Sequence, residues 1–211
     1  MFVKSIMKPR HDCYTVKSTD SLQTAMDVLS KNGVDAVPVL NGNKYAGILT
    51  QYTIYEGYFK NGGSRDEFLQ QKTAGELAGY SDEFLRGDEI FEHTVIKMKK
   101  FPLLPVLDGK GEFYGIVTRY DVLDQFQSAF GMQKKGIRIA FTSVETEGRL
   151  AKFTDIAHQY HEHIISLVTF DEGDPLVRRI VMKIEPTANL EKFTKKLEES
   201  GFRILSITEE V

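Results

Sequence analysis

A nine-residue stretch occurs twice in the sequence, and this duplication limits the folds that are open to the chain. GIVTRYDVL begins at residue 115 and GILTQYTIY at residue 47, 68 positions apart. Upstream of each stands an apolar-Pro-Val step, LLPVL from residue 103 and AVPVL from residue 36, 67 positions apart. The later copy therefore has one extra residue in its turn. Such a repeat predicts two similar units, each marginal as a core alone, that pack together.

The first copy predicts a helix, a hairpin and a second helix. Asp20 is a suitable N-cap with Gln23 three residues later, and Gly33 ends the first helix. The hairpin follows as strands AVPVL and YAGILT around an Asn-Gly turn, and QYTIYEGYF is the second helix. The apolar face of the first helix has the spacing i, i+3, i+4 and i+7: Leu22, Ala25, Met26 and Leu29.

The second copy repeats this scheme, with helices in EIFEHTVIKMKKF and RYDVLDQFQSAF on either side of its hairpin. The starts VKSIM and AGELA also correspond and are predicted to open each unit as a strand. Each unit therefore has the order β-α-β-β-α. We place the first domain at 1–62 and the second at 70–132, with NGGSRDEFLQQ as the surface connection between them.

Residues 136–211 do not follow the repeat and form a third domain. Strands are predicted in GIRIAFTSVE, IISLVTF, LVRRIVMKIE and FRILSITEE, and DEGDP is a turn. Helices are predicted in GRLAKFTDIAHQY and TANLEKFTKKLEESG. The order β-α-β-β-α-β is the ferredoxin-like arrangement. The fold class of the whole chain is therefore α/β, in the sense of α+β.

The composition is that of an ordinary globular protein and excludes several classes of function. A net charge of −3 gives no general attraction to nucleic acid or to an anionic membrane. No apolar run is long enough for a signal peptide or a membrane span, so we expect no membrane insertion. The single cysteine, Cys13, has no intramolecular disulfide partner and no nearby base, which favours an inert thiol and a cytoplasmic location.

The doubled pattern of helix, apolar-Pro-Val strand, turn and Gly-x-x-Thr-x-x-Asp step resembles a tandem pair of CBS domains. Residues 136–211 resemble an ACT domain, in which a Gly such as Gly148 usually lies in the β-α turn; Glu147 replaces the usual Pro. The combination is similar to acetoin-utilisation-type regulatory proteins. The resemblance implies a regulatory module that binds adenosine-containing ligands in clefts between the CBS units and dimerises as a flat disc.

The second copy contains the stronger candidate site. Thr118 ends a strand and begins a helix, which places its hydroxyl at a phosphate-binding helix terminus. Asp121 could accept hydrogen bonds from both ribose hydroxyls, and Arg119 could reach a phosphate. Thr118 and Asp121 could alternatively form a capping box without any ligand. The adenine wall is predicted from the strand at the apolar-Pro step: Leu103, Leu104 and Pro105.

In the first copy Thr50 is kept, but Thr53 stands in the ribose position, and a short uncharged hydroxyl holds a diol less well. This cleft could be empty, prefer another ligand or be structural only, with Val37 and Pro38 as its strand wall. On the following helix Tyr52, Tyr55 and Tyr58 could stack on a base or serve as core or dimer contacts.

Other clusters admit a functional and a structural interpretation. Arg10 and His11 in the basic KPRH segment form a solvated loop or contact a phosphate. His158 and His161 could share a metal, but cations near a helix C-terminus are also favourable by themselves, and we predict no metal site. The turn at Gly148 could bind an amino acid, or the ACT-like domain could serve mainly to oligomerise.

No phosphate-binding Gly-Lys loop, HExxH or GxSxG motif is present, so we predict a protein that is not an enzyme. The leading hypothesis is a homodimeric sensor whose regulatory ligand is AMP, ATP or cyclic di-AMP, with no further cofactor. The ligand would act by conformational change on a partner enzyme or transporter. The alternative is a dimeric interaction scaffold with vestigial pockets. Nucleic acid is not expected as a partner.

Overall fold

The computed structural model describes residues 2–171, 173 and 176–210 and divides the chain into two compact units, which meet between Val122 and Leu123. The first unit holds both repeats. In chain order its strands are β1 Lys8–Pro9, β2 Val16–Lys17, β3 Ala36–Asn41, β4 Lys44–Thr50, β5 Leu103–Leu107 and β6 Phe113–Thr118. Its helices are α1 Leu22–Asn32, α2 Gln51–Asn61, α3 Arg65–Gln71, α4 Ala74–Leu77, α5 Phe91–Met98 and α6 Arg119–Ala129, the last of which continues into the second unit.

Two three-stranded sheets form the first unit, in the orders β2-β3-β4 and β1-β6-β5. Each predicted hairpin is observed as an antiparallel pair, β3 with β4 and β5 with β6. Strand β2 runs parallel to β3, and a parallel bridge from Leu85 to Val106 is its counterpart in the second repeat. The doubled sequence pattern thus corresponds to a doubled structure.

The segment that precedes each repeat pairs with the hairpin of the other repeat. Strand β1 pairs antiparallel with β6, with Lys8 opposite Ile116, and in the same way Gly79 bridges Ile48. This exchange explains the glycine that opens both copies of the duplicated stretch. A Cβ at Gly115 would collide with the Lys8 carbonyl, and one at Gly47 would lie 2.7 Å from the Gly79 carbonyl oxygen.

Three predictions on local structure are wrong. The starts VKSIM and AGELA are not strands: residues Val3–Ser5 form a 3₁₀ turn and AGELA begins with helix α4. The N-cap of α1 is Ser21, whose Oγ accepts a hydrogen bond from the Thr24 amide at 3.2 Å. Asp20 instead accepts a hydrogen bond from the Lys17 amide at 2.8 Å, because its short carboxylate closes the preceding turn.

The segment NGGSRDEFLQQ is also more than a surface connection. Ser64 caps helix α3, and Phe68 and Leu69 on this helix are buried in the core of the first repeat. Two adjacent apolar residues are enough to pack one short helix against the core. The polar residues around them made the segment look like a surface connection in the sequence. The core around them also contains the apolar face of α1, as predicted.

The second unit is a four-stranded antiparallel sheet with two helices. Its strands are β7 Gly136–Val144, β8 Ile164–Asp171, β9 Val177–Ile184 and β10 Phe202–Glu210, and its helices are α7 Arg149–Gln159 and α8 Leu190–Glu199. The sheet order is β10-β7-β9-β8. The predicted order of elements is therefore observed, although three residues of the DEGDP turn, Glu172, Asp174 and Pro175, lie outside the described residues.

One face of this sheet packs against the helices. Alternate residues of β7 and β9, among them Ile139, Phe141 and Met182, are fully buried with Phe153 of α7 and Phe193 of α8. The opposite face carries the intervening residues. Within the described part of the chain, no helix is both long and apolar enough to cross a bilayer.

Candidate ligand-binding cleft

The first unit contains a cleft with a cavity of about 130 Å³ to which both repeats contribute. The segment 33–36, between α1 and β3, forms one wall, and Pro102, Leu103 and Ile116 of the second repeat form another. Thr118 and Tyr120 also line the cleft. The exchanged segment before the first repeat closes it with Lys8 and Tyr14. The cleft therefore depends on the exchange of the leading segments.

Thr118 and Asp121 form a capping box at the start of α6, as the structural alternative predicted. The Asp121 Oδ2 atom accepts hydrogen bonds from the Thr118 amide and hydroxyl, each at 2.7 Å. In return the Asp121 amide donates to Thr118 Oγ1 at 3.2 Å. Among the described residues nothing donates to the other carboxylate oxygen, Oδ1, so this oxygen can still accept a hydrogen bond. Asp121 itself does not line the cavity and adjoins it through Thr118.

The capping residue of the first repeat, Thr53, has no free hydrogen-bond acceptor. Thr53 Oγ1 accepts from the Thr50 amide at 3.0 Å and from the Thr50 hydroxyl at 3.2 Å. It donates its proton to the Thr50 carbonyl at 2.9 Å. A hydroxyl has one donor and two lone pairs, so all its hydrogen-bonding capacity is used. Thr53 therefore replaces Asp121 as a cap and leaves no atom to hold a ribose.

Two aromatic residues stand at or near positions that the repeat relates to this cleft. Phe101 stands 67 positions after Val34 of the cleft, and Tyr80 follows the exchanged Gly79. Their rings pack edge to face with centroids 5.0 Å apart. Tyr80 has a φ of 61°, which is uncommon for a residue other than glycine, and its carbonyl accepts a hydrogen bond from Tyr45 at 2.9 Å. The two repeats therefore differ at these aromatic positions as well as at Thr53 and Asp121.

Arg119 has other partners than the phosphate we predicted. Its Nε donates to the carbonyls of Met98 at 3.0 Å and Phe101 at 3.1 Å, at the C-terminal end of α5. A guanidinium at this position satisfies carbonyls that have no partner within the helix and interacts favourably with the helix dipole. The helix terminus also has fewer free backbone amides for a phosphate than predicted, because the Arg119 amide donates to the Pro102 carbonyl at 3.2 Å.

Of the predicted adenine wall, only Leu103 lines the cavity. Leu104 and Val37 are completely buried and belong to the hydrophobic cores of their own repeats. The prolines after them, Pro38 and Pro105, lie within strands β3 and β5 and do not line it either. Strand alternation explains why Leu104 and Val37 face the cores while Leu103 and Ala36 line the cavity, since side chains of successive residues point to opposite faces. Pro38 and Pro105 lie on the same strand faces as Ala36 and Leu103 but two residues further along their strands.

The basic segment KPRH contributes a different residue from those predicted. Arg10 donates to the Asn43 side chain at 3.0 Å, and His11 is largely exposed beside Asp12. Lys8 lines the cavity instead, and its Nζ lies 5.4 Å from the centre of the Tyr14 ring. Sequence reasoning missed Lys8, Tyr14 and Tyr120 as cleft residues. The basic cluster KPRH indicated that a cation could lie near the cleft. Which residue of the cluster reaches the cleft depends on the pairing of β1 with β6, and no local sequence pattern predicts this pairing.

Charge in the cleft comes from Lys8 and Asp35, while most of the wall is apolar. Nearby, the Cys13 thiol contacts the carbonyl oxygens of Lys8 and Pro9. Burial raises the pKa of Cys13 to about 11, so the thiol is protonated at neutral pH. This agrees with the interpretation of Cys13 as inert.

The remaining candidates are placed as follows. Tyr58 packs on Phe68 in the first core, whereas Tyr52 and Tyr55 are exposed on α2. The rings of His158 and His161 are 6.4 Å apart. Residues 2–171, 173 and 176–210 contain no group of three or more His, Cys, Asp or Glu side chains suited to a metal ion.

The two repeats match a known domain. Residues 3–59 and 84–128 match the CBS domain model, and the chain therefore carries a tandem pair of CBS domains. The predicted resemblance of the two repeats is thereby confirmed.

Individual relatives share this region. An inosine-5'-monophosphate dehydrogenase of Korarchaeum cryptofilum is 28% identical over 169 residues, which cover 74% of this chain and 33% of the enzyme. The chain thus spans about a third of the length of this curated relative.

Two solved structures are similar to this chain over most of their own length. A hypothetical conserved protein from Geobacillus kaustophilus is 27% identical, with a TM-score of 0.55, over 60% of this chain and 96% of that one. The CbpB protein of Listeria monocytogenes, in complex with c-di-AMP, is 25% identical, with a TM-score of 0.53, over 59% of this chain and 94% of that one.

Proposed function

We propose that this protein is a regulatory sensor that binds an adenosine-containing ligand in the cleft beside Thr118 and Asp121. The observation that carries the proposal is the Oδ1 atom of Asp121. It has no donor among the described residues and belongs to a carboxylate whose other oxygen is anchored by Thr118, which lines the cleft. A rigid carboxylate with one open oxygen is a suitable acceptor for a ribose diol.

The rest of the cleft suits the other parts of such a ligand. Leu103 and Ile116 offer an apolar wall to a base, and Tyr14 and Tyr120 offer aromatic faces on which it can stack. Lys8 supplies the positive charge that a phosphate requires. The local cation matters because the chain as a whole carries a net charge of −3.

Among AMP, ATP and cyclic di-AMP, the last has the most support. The Listeria CbpB protein, which is similar over 59% of this chain, is solved in complex with c-di-AMP. A ligand that binds one arrangement of the two CBS domains better than another shifts the equilibrium between them, and this shift is the signal. The protein would act on a partner enzyme or transporter in the cytoplasm and would not itself be an enzyme.

The second unit has the element order of a ferredoxin-like domain, and we assign it as ACT-like. Together with the CBS pair this gives the architecture of acetoin-utilisation-type regulatory proteins. We expect the protein to be a homodimer, which is supported by exposed aromatic residues on α2, Tyr52 at 71% and Phe59 at 83% exposure.

A second candidate function is amino-acid sensing by the ACT-like unit. A cavity of about 220 Å³ lies at the turn between β7 and α7, beside Gly148. Arg149 in this cavity already donates to Ser143 Oγ at 2.8 Å and to the carbonyl of Gly201 at 2.8 Å. Its guanidinium is therefore committed to the fold, and the nucleotide hypothesis remains the stronger one.

The decisive variant is Asp121→Thr, because the protein itself shows that threonine forms the same cap at position 53. The variant should keep the stability of the free protein but lose the open acceptor for the ribose. Hydrogen bonds to charged groups contribute about 1.5–3 kcal/mol, so affinity for c-di-AMP or AMP should fall by about 10-fold to 150-fold. Isothermal titration calorimetry on the full chain measures this directly.

Asp124→Asn is the matched control, because Asp124 is exposed on the same helix and its substitution removes the same charge as Asp121→Thr. It should bind as the wild type does. If Asp121→Thr binds as tightly as the wild type, the site is misassigned. If the wild type binds none of AMP, ATP and c-di-AMP, the interaction scaffold with vestigial pockets replaces the sensor.

A further inference from the structure

The chain contains three Asn-Gly pairs, which begin at Asn32, Asn41 and Asn61, and the fold gives them different surroundings. In such a pair the amide nitrogen of the glycine can attack the side-chain carbonyl of the asparagine, because no Cβ hinders the approach. We propose that Asn41, at the turn of the first hairpin, is a site of deamidation and that hydrogen bonds protect the other two pairs. This modification goes beyond the proposed function, which concerns ligand binding.

The pair at Asn32 is held by the end of helix α1. Asn32 Nδ2 donates to the Val28 carbonyl at 2.8 Å, and the Gly33 amide donates to the Ser30 carbonyl at 3.3 Å. Both the side chain that would be attacked and the attacking amide are therefore engaged. Ring closure requires both hydrogen bonds to open first, and each slows the reaction by about 2-fold to 13-fold.

The pair at Asn61 is held in a similar way by the end of helix α2. The Gly62 amide donates to the Tyr58 carbonyl at 2.9 Å, so the attacking nitrogen is engaged. Asn61 itself is exposed, and no hydrogen bond to its side chain is formed within the described part of the chain. One hydrogen bond protects this pair, which should therefore react faster than the pair at Asn32.

The pair at Asn41 has no comparable protection. Asn41 is the exposed last residue of β3. Among the described residues, none forms a hydrogen bond with its side chain or with the Gly42 amide. Gly42 has a φ of 64°, and a Cβ there would meet no atom within 4 Å, so the space around the turn is open. This pair should react first.

The reaction needs only solvent water. The Gly42 nitrogen forms a bond with Asn41 Cγ, the bond from Cγ to Nδ2 breaks, and the proton of the Gly42 amide leaves with the amino group as ammonia. Water then opens the cyclic imide. Opening at Cγ gives aspartate, and opening at the main-chain carbonyl carbon gives isoaspartate. In isoaspartate the backbone runs through the side chain and is one methylene longer.

The two repeats contact each other immediately after this turn. The Asn43 carbonyl accepts a hydrogen bond from the Phe113 amide at 2.9 Å, and the Tyr45 amide donates to the Gly111 carbonyl at 3.4 Å. A longer backbone just before these groups should displace them and weaken both contacts. Aspartate, in contrast, changes only the charge of an exposed side chain.

Incubation of the full chain at neutral pH, followed by tryptic digestion and mass spectrometry, tests the proposal. Fragment ions of peptide 32–44 distinguish Asn41 from Asn32, and peptide 61–65 reports on Asn61. Asn41 should deamidate about 2-fold to 13-fold faster than Asn61 and about 5-fold to 150-fold faster than Asn32. In urea, where the hydrogen bonds are absent, the three rates should be similar. If Asn41 reacts no faster than Asn61 in the folded chain, the proposal is overturned.

Two variants test the structural consequence. Asn41→Gln disfavours ring closure, so its urea midpoint should not change during an incubation that lowers the midpoint of the wild type. Asn41→Asp is the matched control for charge alone and should unfold as the fresh wild type does. Equal losses of stability in incubated wild type and incubated Asn41→Gln would contradict an effect of isoaspartate at this turn.

Discussion

The exchange of leading segments makes Gly115 a position on strand β6 that tolerates no side chain. In the wild type the Lys8 backbone crosses directly over Gly115, and a Cβ there would overlap the Lys8 carbonyl. The obstacle is backbone, which cannot rotate away as the end of a flexible side chain can. Gly115→Ala should therefore displace strand β1 from β6.

The magnitude follows from what the displacement breaks. Strand β1 has only two residues, paired with Ile116 and Gly115. The loss of about two backbone hydrogen bonds at 0.5–1.5 kcal/mol each, with partial exposure of buried Ile116, gives a decrease of about 2–3 kcal/mol in the free energy of unfolding. Because Lys8 lines the cleft, nucleotide affinity should fall as well.

Urea unfolding followed by circular dichroism measures the first effect, and calorimetry with c-di-AMP measures the second. Gly109→Ala is the matched control in the same hairpin, because a Cβ there meets no atom within 4 Å and its φ is not positive. It should change stability by no more than about 0.5 kcal/mol. Equal urea midpoints for the two variants would refute the argument that the exchanged backbone requires a glycine.

Three further predictions concern other positions. In calorimetry, Thr53→Asp should leave the stoichiometry at one nucleotide per chain, whereas Thr53→Asp combined with Tyr80→Ala should add a second site. A second site in the single variant would show that the pair Tyr80 and Phe101 does not block the cleft beside Thr53. Burial of Glu162, whose Oε2 has no hydrogen-bond partner among the described residues, raises its pKa above the ordinary 4.5. Its contribution to stability is therefore complete below pH 4.5 and is lost as the pH rises through the folded pKa. Glu162→Gln should therefore be more stable than the wild type at neutral pH and should flatten the dependence of the urea midpoint on pH; an unchanged profile would contradict this assignment. Native Cys13 should react slowly with iodoacetamide at neutral pH and rapidly after unfolding, because its pKa is about 11; equal rates would contradict the burial of the thiol.

Local sequence patterns predicted most of the elements correctly. The spacing of Leu22, Ala25, Met26 and Leu29 defined helix α1, and the Asn-Gly turn defined the first hairpin. These signals are visible in the sequence because helix and strand periods and turn geometry depend on residues a few positions apart. The opening strands were mispredicted because VKSIM and AGELA have no clear period, and α3 was missed because its polar residues conceal Phe68 and Leu69.

The sequence by itself determined the duplication and the difference between Asp121 and Thr53, whereas the capping box at each of these positions was seen only in the structure. It also showed why that difference matters, since one side chain is a carboxylate and the other a single hydroxyl. Only the tertiary structure decided which residues meet at the cleft. Strand exchange brings Lys8 and Tyr14 to the second repeat and Tyr80 to the first, through pairings between segments far apart in the chain. Such contacts depend on how two folded repeats pack, so no local pattern of residues records them.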